Sequence, residues 1–271
     1  MNTFKFFSMA ALTLVMTACS SDDSVLEQEL AQQGVMHFTA TIAAPNGGAT
    51  TRSVYTEGEN KIDVAWKVGD QISVIYNGVK DVVEVTEVDK VTGLATIDGT
   101  ITSHPEDGDA IAMYYPANFV SRMDGFLPVF DYSKWQSQDG TLAYIQDNLD
   151  LRHGVGIVTV KGNNVTLKEN ASFISDIAIW KFSLQDDAAT PNALAASAVK
   201  VNVGDNIEAS ATSASPKNEY YLSIIPIRMG TGDLTIEATV GSSTYTYTKA
   251  GSVQLLDGKY YQSTVNMHAG R

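Results

Sequence analysis

The only cysteine among the 271 residues, Cys19, comes shortly after an apolar run that extends from Phe6 to Met16. A basic residue, a short apolar core, small residues and then a cysteine are typical of a bacterial lipoprotein signal, which is removed as the cysteine thiol is acylated. The run is shorter than the roughly 20 residues that span a membrane. We therefore predict a signal peptide at residues 1–18, a lipid on Cys19, and no free thiol for disulfide, nucleophilic or metal chemistry.

A serine and acidic tract, Ser20-Ser21-Asp22-Asp23, follows the cysteine, and polar residues continue to residue 34. The two aspartates lie too far from Cys19 to resemble an inner-membrane retention signal. The tract instead resembles the export tag of surface-displayed lipoproteins. We expect a cell outer membrane lipoprotein that is exposed on the surface, with residues 19–34 as a flexible tether.

The remaining reactive side chains are scattered along the sequence. The four histidines share no metal-ligand spacing: His37, His104, His153 and His268. The acidic pairs Asp107/Asp109 and Asp186/Asp187 have oxygen ligands that suit a hard cation, but neither lies in a calcium-loop motif. We interpret both as solvated turns, and calcium at Asp107/Asp109 stays open. No nucleophile elbow, phosphate loop or dinucleotide motif occurs, so we predict no catalytic residues, no cofactor and no metal.

The net charge excludes one class of partner. Without Lys5, which lies in the signal peptide, the chain has 17 basic and 31 acidic residues, a net charge of −14. A chain of this charge repels phosphate unless its basic residues cluster, and no basic run is present. Nucleic acid is therefore not an expected partner.

Aromatic residues crowd the middle of the first half of the chain. Side chains of this kind in loops can stack on sugars or bind a protein partner. They also occur at strand ends, where the ring is buried and the hydroxyl is wet. Both interpretations stay open, and Tyr132 and Trp135 are the candidate ligand-facing aromatics.

The elements that must position these residues are strands. From residue 35 onward apolar residues alternate with polar ones, as in Met36, Phe38, Ala40 and Ile42, and turn residues separate the runs. This pattern predicts antiparallel β-sandwiches. Helical spacing occurs only in residues 142–151, where a short helix and a surface loop are equally compatible. A break at Gly162-Asn163-Asn164 suggests two tandem domains, residues 35–165 and 166–271.

The order of several short motifs resembles the fimbrillin family, the lipoprotein subunits of type V pili. The resemblance covers about residues 35–267. After the alternating first strand, its motifs are Thr51-Arg52-Ser53, Ile62-Asp63-Val64-Ala65-Trp66-Lys67-Val68-Gly69-Asp70-Gln71-Ile72, Tyr114-Tyr115-Pro116, Leu127-Pro128, Ile177-Ala178-Ile179-Trp180-Lys181-Phe182, Tyr220-Tyr221-Leu222-Ser223-Ile224-Ile225-Pro226 and Leu256-Asp257-Gly258-Lys259-Tyr260-Tyr261. The resemblance implies two tandem transthyretin-like sandwiches with little helix.

The resemblance also implies a processing step and a mode of assembly. An arginine-specific protease would cut between Arg52 and Ser53, and the strand carrying Met36, Phe38, Ala40 and Ile42 would leave. The groove would then accept a strand from another pilus subunit by donor-strand exchange, serving cell adhesion. A dangling tail at residues 36–42, or a central strand bonded on both flanks, would contradict this hypothesis.

The C-terminal region departs from the pattern of a stalk subunit, which must also donate a strand. If residues 253–255 and 260–267 pair as a hairpin, only His268 to Arg271 are left to donate. We therefore favour a tip or accessory subunit. Its expected partners are other subunits, the outer membrane through the lipid on Cys19, and a host or bacterial surface glycan or protein. A surface lipoprotein that binds glycans without polymerising is the alternative, and a hydrolase with two facing carboxylates is third.

Overall fold

The computed structural model describes residues 34–45, 56–57 and 62–270, and most of them lie in strands. The predicted all-β fold with little helix is confirmed. The one α-helix of these residues, α1 (Leu142–Asn148), lies inside the stretch that has helical spacing. It begins after Thr141, whose side-chain oxygen accepts a hydrogen bond from the Tyr144 N–H at 3.1 Å. A polar cap of this kind explains where the helix starts.

The first sheet has nine strands: β1 (Met36–Ala43), β4 (Gln71–Tyr76), β5 (Val79–Val88), β6 (Ala95–Ile101), β7 (Ala110–Tyr115), β10 (Arg152–Lys161), β11 (Asn164–Leu167), β12 (Ala171–Ser172) and β13 (Ile174–Ser175). The strand order is β11-β1-β6-β5-β4-β7-β10-β13, and β12 pairs with β1. Because β11 also pairs with β10, the ladders run from β1 around the sheet and back to β1 as a closed ring.

The second sheet has seven strands: β14 (Ala178–Asp186), β15 (Ala196–Val203), β16 (Asn206–Lys217), β17 (Glu219–Ile224), β18 (Leu234–Val240), β19 (Ser243–Lys249) and β20 (Tyr260–Ala269). Their order is β16-β15-β18-β19-β20-β14-β17, so β16 and β17 are the two edges. Two short ribbons stand apart from both sheets, β2 (Thr56–Glu57) with β3 (Ile62–Asp63) and β8 (Val120–Asp124) with β9 (Leu127–Phe130).

The change from one sheet to the other falls later than the boundary predicted at residue 165. That boundary would cut β11, which pairs with β1 and β10 of the first sheet. Gly162, at a φ of 59°, and Asn163 form the tight turn between β10 and β11, so these turn residues mark a hairpin and not a linker. The first sheet extends to Ser175, and the second begins at Ala178.

Each sheet has its own apolar core, and a third cluster joins them. In the first core, the Trp66 ring meets Tyr115 and Phe173 edge to face at centroid distances of 5.2 and 5.0 Å. Trp180, Phe182 and Tyr220 belong to the second core. The third cluster combines residues of both halves: Ile62, Val64, Phe119, Trp135, Ile145, Leu149, Leu151, Ile177, Ile179 and Ile225. Residues 35–271 accordingly form one compact unit.

Candidate strand-exchange site

Strand β1 is hydrogen-bonded along both of its edges. On one side it runs antiparallel to β6, from Met36 opposite Ile101 to Ile42 opposite Ala95. On the other side its first half runs parallel to β11 and its end runs parallel to β12. Strand β1 therefore lies inside the ring of the first sheet and is paired on both edges, with β6 on one side and with β11 and β12 on the other.

Every second side chain of β1 points into the first core. Met36 and Ala40 are each 7% exposed, and Phe38 and Ile42 are fully buried. The outward residues are more accessible, and His37 Nε2 lies 3.1 Å from Asp98 Oδ2 on β6. This alternation is what a strand needs if one face is to seal a core while the other faces solvent.

Pairing on both flanks contradicts the hypothesis in the form stated from the sequence, in which the first strand simply leaves. The sequence pattern indicated the apolar face of β1 but could not show its second neighbour. That neighbour is supplied by β11 and β12, which lie far along the chain and run parallel to β1. A strand with two ladders and a buried face does not dissociate by itself, because both ladders and the core contacts would be lost together.

The loop that follows β1 is only partly described. The chain is described as far as Pro45 and again at Thr56 and Glu57. The predicted cleavage site, Arg52 and Ser53, lies outside the described residues, as does the predicted lipidation site, Cys19.

Glu57 ties the chain beyond this loop to the second sheet. Its Oε1 accepts hydrogen bonds from Tyr260 Oη at 2.5 Å and from Lys181 Nζ at 2.9 Å, and its Oε2 accepts one from Tyr221 Oη at 2.6 Å. The bond from Tyr221, followed by those from Tyr260 and Lys181, lowers the pKa of Glu57 to about 2. Sequence reasoning missed this carboxylate, because its three partners come from distant strands.

Gln138 forms hydrogen bonds to both edge strands of the second sheet, β16 and β17. Its backbone N–H donates to Ser210 O at 2.9 Å on the β16 edge, and its backbone carbonyl accepts from Thr212 N at 2.9 Å. Its side-chain amide bonds Ser223 on the β17 edge through both Nε2 and Oε1, each at 2.9 Å. Gln138 therefore pairs with both edges of the second sheet at these positions.

The candidate ligand-facing aromatics belong mainly to the core. Trp135 is 4% exposed, and its Nε1 donates to Ser223 Oγ at 3.0 Å, so its ring offers no open platform. Tyr132 is partly exposed, but the Arg228 guanidinium lies over its ring at 3.9 Å from the centroid. Both residues border a cleft of about 390 Å³ that also includes Asp205 and Glu208. Of the two interpretations that the sequence leaves open, the buried one applies to Trp135, because its ring packs in the cluster between the sheets.

The acidic turn at Asp107 and Asp109 is held by protein hydrogen bonds. Asp109 Oδ2 accepts from Tyr76 Oη at 2.6 Å and from the Glu106 N–H at 2.7 Å, and Asp107 Oδ1 accepts from the Val160 N–H at 3.2 Å. No group of three metal-ligating side chains occurs within the described ranges. No helix of this same part of the chain has the length and apolar character needed to cross a membrane.

The C-terminal strand, β20, is part of the second sheet. It runs parallel to β14 from Tyr260 opposite Ile179 to Met267 opposite Asp186, and Ala269 pairs with Tyr245 of β19. The hairpin considered from the sequence does not form, because residues 253–255 form no strand and β20 pairs elsewhere in the sheet. The C-terminal strand is nevertheless paired with strands of its own subunit.

Comparisons with known proteins identify similar solved structures only. No protein-family model matches the chain. No curated protein matches it either. The similar structures include a protein named provisionally for cell adhesion from Bacteroides uniformis, with 11% identity, a TM-score of 0.44, and coverage of 88% of this chain and 97% of that one. A fimbrial assembly protein from Parabacteroides distasonis has 11% identity, a TM-score of 0.44, and coverages of 85% and 90%.

A third similar structure comes from a different bacterial group. The minor pilin GBS52 of Streptococcus agalactiae has 10% identity and a TM-score of 0.30, with coverage of 86% of this chain and 97% of that one. Identities this low transfer no residue roles, which have to come from the contacts of this chain.

Proposed function

We propose that this protein is a structural, non-enzymatic subunit of an adhesive surface pilus, in which a strand of a neighbouring subunit takes the place of β1. One observation carries the proposal: β1 lies in the ring of the first sheet between β6 and the β11–β12 side, with its inward side chains buried in the first core. Removal of this strand from the ring creates two edges and an apolar groove between them. A donated strand restores both ladders and fills the same pockets.

The energetics favour displacement over prior loss of β1. Met36, Phe38 and Ile42 are buried, and burial of such side chains contributes roughly 1.5–3 kcal/mol each, or about 5–9 kcal/mol for the three. A domain has a total stability of about 5–15 kcal/mol. An empty groove is therefore too costly to persist, and an incoming strand has to replace β1 while β1 leaves. Cleavage after Arg52 would supply the condition for this step, because it cuts the covalent link that otherwise returns β1 to its place.

The proposed position in the pilus is at the tip or in an accessory role, with the chain exported as an outer membrane lipoprotein through Cys19. The support is the pairing of β20 with both β14 and β19. A strand committed to its own sheet in this way is not available for donation to a neighbouring subunit. The alternative of a glycan-binding lipoprotein loses its main support, because Trp135 is buried and Arg228 covers Tyr132.

The test is arginine-specific proteolysis of the purified full-length protein, followed by mass measurement and size-exclusion chromatography. With donor subunits in excess, we expect one early cut after Arg52, release of the fragment that contains β1, and a complex of the cut protein with a donor subunit. The Arg52→Ala variant should stay uncut there and monomeric. Arg122→Ala is the matched control, since Arg122 is an exposed arginine on β8, and it should behave like the wild type. A cut protein that keeps the fragment and remains monomeric even with donor subunits in excess would overturn the proposal.

A further inference from the structure

Three of the four residues of β6 that lie opposite the buried face of β1 alternate in size against it, whereas the fourth pair, Met36 opposite Ile101, is large on both strands. Phe38 lies opposite Gly99, Ala40 opposite Ile97, and Ile42 opposite Ala95. Wherever β1 carries a large side chain in these three pairs, β6 carries a small one, and the reverse holds at Ala40. Cross-strand neighbours on one face are about 5 Å apart at their Cβ atoms, so their combined volume is limited.

Gly99 cannot gain a side chain without a shift of its neighbours. A Cβ atom built there would lie 3.0 Å from Val83 Cγ1 and 3.3 Å from Val83 Cα on β5. The position opposite Phe38 is therefore kept free of side-chain volume by the close approach of β5. On its other flank Phe38 lies opposite Val165 of β11, which is also buried.

At the next inward position the larger side chain of the pair, Ile97, is on β6. It is fully buried, and Ala40 opposite it is 7% exposed. A larger residue in place of Ala40 would compete with Ile97 for the same part of the core, and close-packed cores tolerate added volume poorly. In the third pair both residues are buried, with Ala95 1% exposed and Ile42 fully buried, and the larger side chain is again on β1.

We propose that β6 selects the strand that occupies this groove, through Gly99, Ile97 and Ala95. The groove accepts a strand antiparallel to β6 whose inward residues are large, small and branched apolar in that order, as in Phe38-Thr39-Ala40-Thr41-Ile42. The partner is therefore defined by the spacing and size of three side chains, and an apolar strand with a large central residue is rejected. This inference rests on the proposed exchange of β1 and specifies which strands can take part.

The experiment uses the full chain with a specific protease sequence replacing residues 46–51. The protein is cut, unfolded in urea and refolded with an excess of fluorescent peptide of residues 35–45, and incorporation is measured after gel filtration. We expect the native peptide to be incorporated and the Ala40→Leu peptide to be incorporated about ten-fold less or worse. The Thr41→Leu peptide adds similar bulk on the outward face and should match the native peptide. The Ile97→Ala protein should incorporate the Ala40→Leu peptide as well as the wild-type protein incorporates the native peptide.

The outcomes separate the two proposals. If the native peptide is not incorporated although the protein refolds, β1 is not replaceable and the proposed function fails together with this inference. If the native and Ala40→Leu peptides are incorporated equally, exchange stands but selection by β6 is wrong. Should Ile97→Ala prevent refolding, the uncut full-length chain decides, and Ala40→Leu should lower its melting temperature. Equal melting temperatures of Ala40→Leu and Thr41→Leu would overturn the size rule.

Discussion

The side chain of Gln138 bonds both backbone groups of Ser223, with Nε2 donating to the carbonyl and Oε1 accepting from the N–H, each at 2.9 Å. The same Nε2 donates to Trp135 O at 3.1 Å. Gln138 is 3% exposed, and Ser223 is fully buried. The amide therefore replaces a neighbouring strand at the β17 edge, and without it two buried backbone groups would have no partner.

Gln138→Ala should accordingly destabilise the protein. An unpaired buried polar group costs about 1–3 kcal/mol, so we expect the free energy of unfolding to fall by about 2–5 kcal/mol. Urea denaturation followed by fluorescence measures this change. Gln136→Ala is the control, because Gln136 is exposed and its backbone carbonyl, which accepts from Ser210 Oγ, is retained by the substitution. Equal stability of the two variants would show that the edge does not depend on the Gln138 amide.

Gly140→Ala should disrupt the same segment through steric overlap. Gly140 has a φ of 76°, and a Cβ atom there would overlap the ring of Tyr220 in the second core. Gly241→Ala is a matched control, since Gly241 has a φ of 61° but open space around it. We expect Gly140→Ala to cost about 1–3 kcal/mol more than Gly241→Ala in urea denaturation. Similar losses for both would mean that backbone strain alone is responsible.

The Glu57 carboxylate should make stability depend on acid pH. Hydrogen bonds from Tyr221 and Tyr260, together with Lys181, lower its folded pKa from 4.5 to about 2. Because the folded pKa is the lower one, the stabilisation is present above about pH 4.5 and is lost as the pH falls toward 2. In Glu57→Gln this part of the pH dependence should disappear, as measured by melting temperature between pH 2 and pH 6. Glu87→Gln, which changes an exposed residue of β5, should keep the wild-type profile.

His153 should contribute a dependence of the opposite sign. The hydrogen bond from its Nδ1 to Asp176, at 2.6 Å, raises the pKa of His153 although partial burial opposes the shift. The folded pKa is the higher one, so the stabilisation is complete below about pH 6.5 and is lost as the pH rises through the raised value. We expect His153→Gln to flatten the melting temperature across this range. A flattening of equal size in His104→Gln would refute the assignment to His153.

Local patterns explain which parts of the fold the sequence could predict. The alternation in β1 identified its four buried residues, and the spacing of Leu142, Ile145 and Leu149 matched α1. The same patterns carry no information about distant neighbours. Parallel pairing of β1 with β11 and β12, and the insertion of Gln138 between two edges, depend on contacts between residues far apart in the sequence.

The candidate site shows the same limit. An aromatic such as Trp135 looks alike in sequence whether it faces a ligand or packs in a core, and only its burial decides. Glu57 gave no signal, because an isolated carboxylate acquires its partners from three strands that the sequence does not bring together. The alternation of side-chain size between β1 and β6 could not be recognised from the sequence, because it depends on which residues of the two strands lie opposite each other.

The position of β1 in the ring also determines when it can be secured during synthesis. As the N-terminal strand it emerges early, but its neighbour β6 comes later, and β11 and β12 come only after nearly the whole first sheet has been made. Each new molecule thus passes through an interval in which the ring of its first sheet is incomplete. During that interval the proposed exchange would not have to displace β1 from a complete pair of ladders, because the ladders with β11 and β12 have not yet formed.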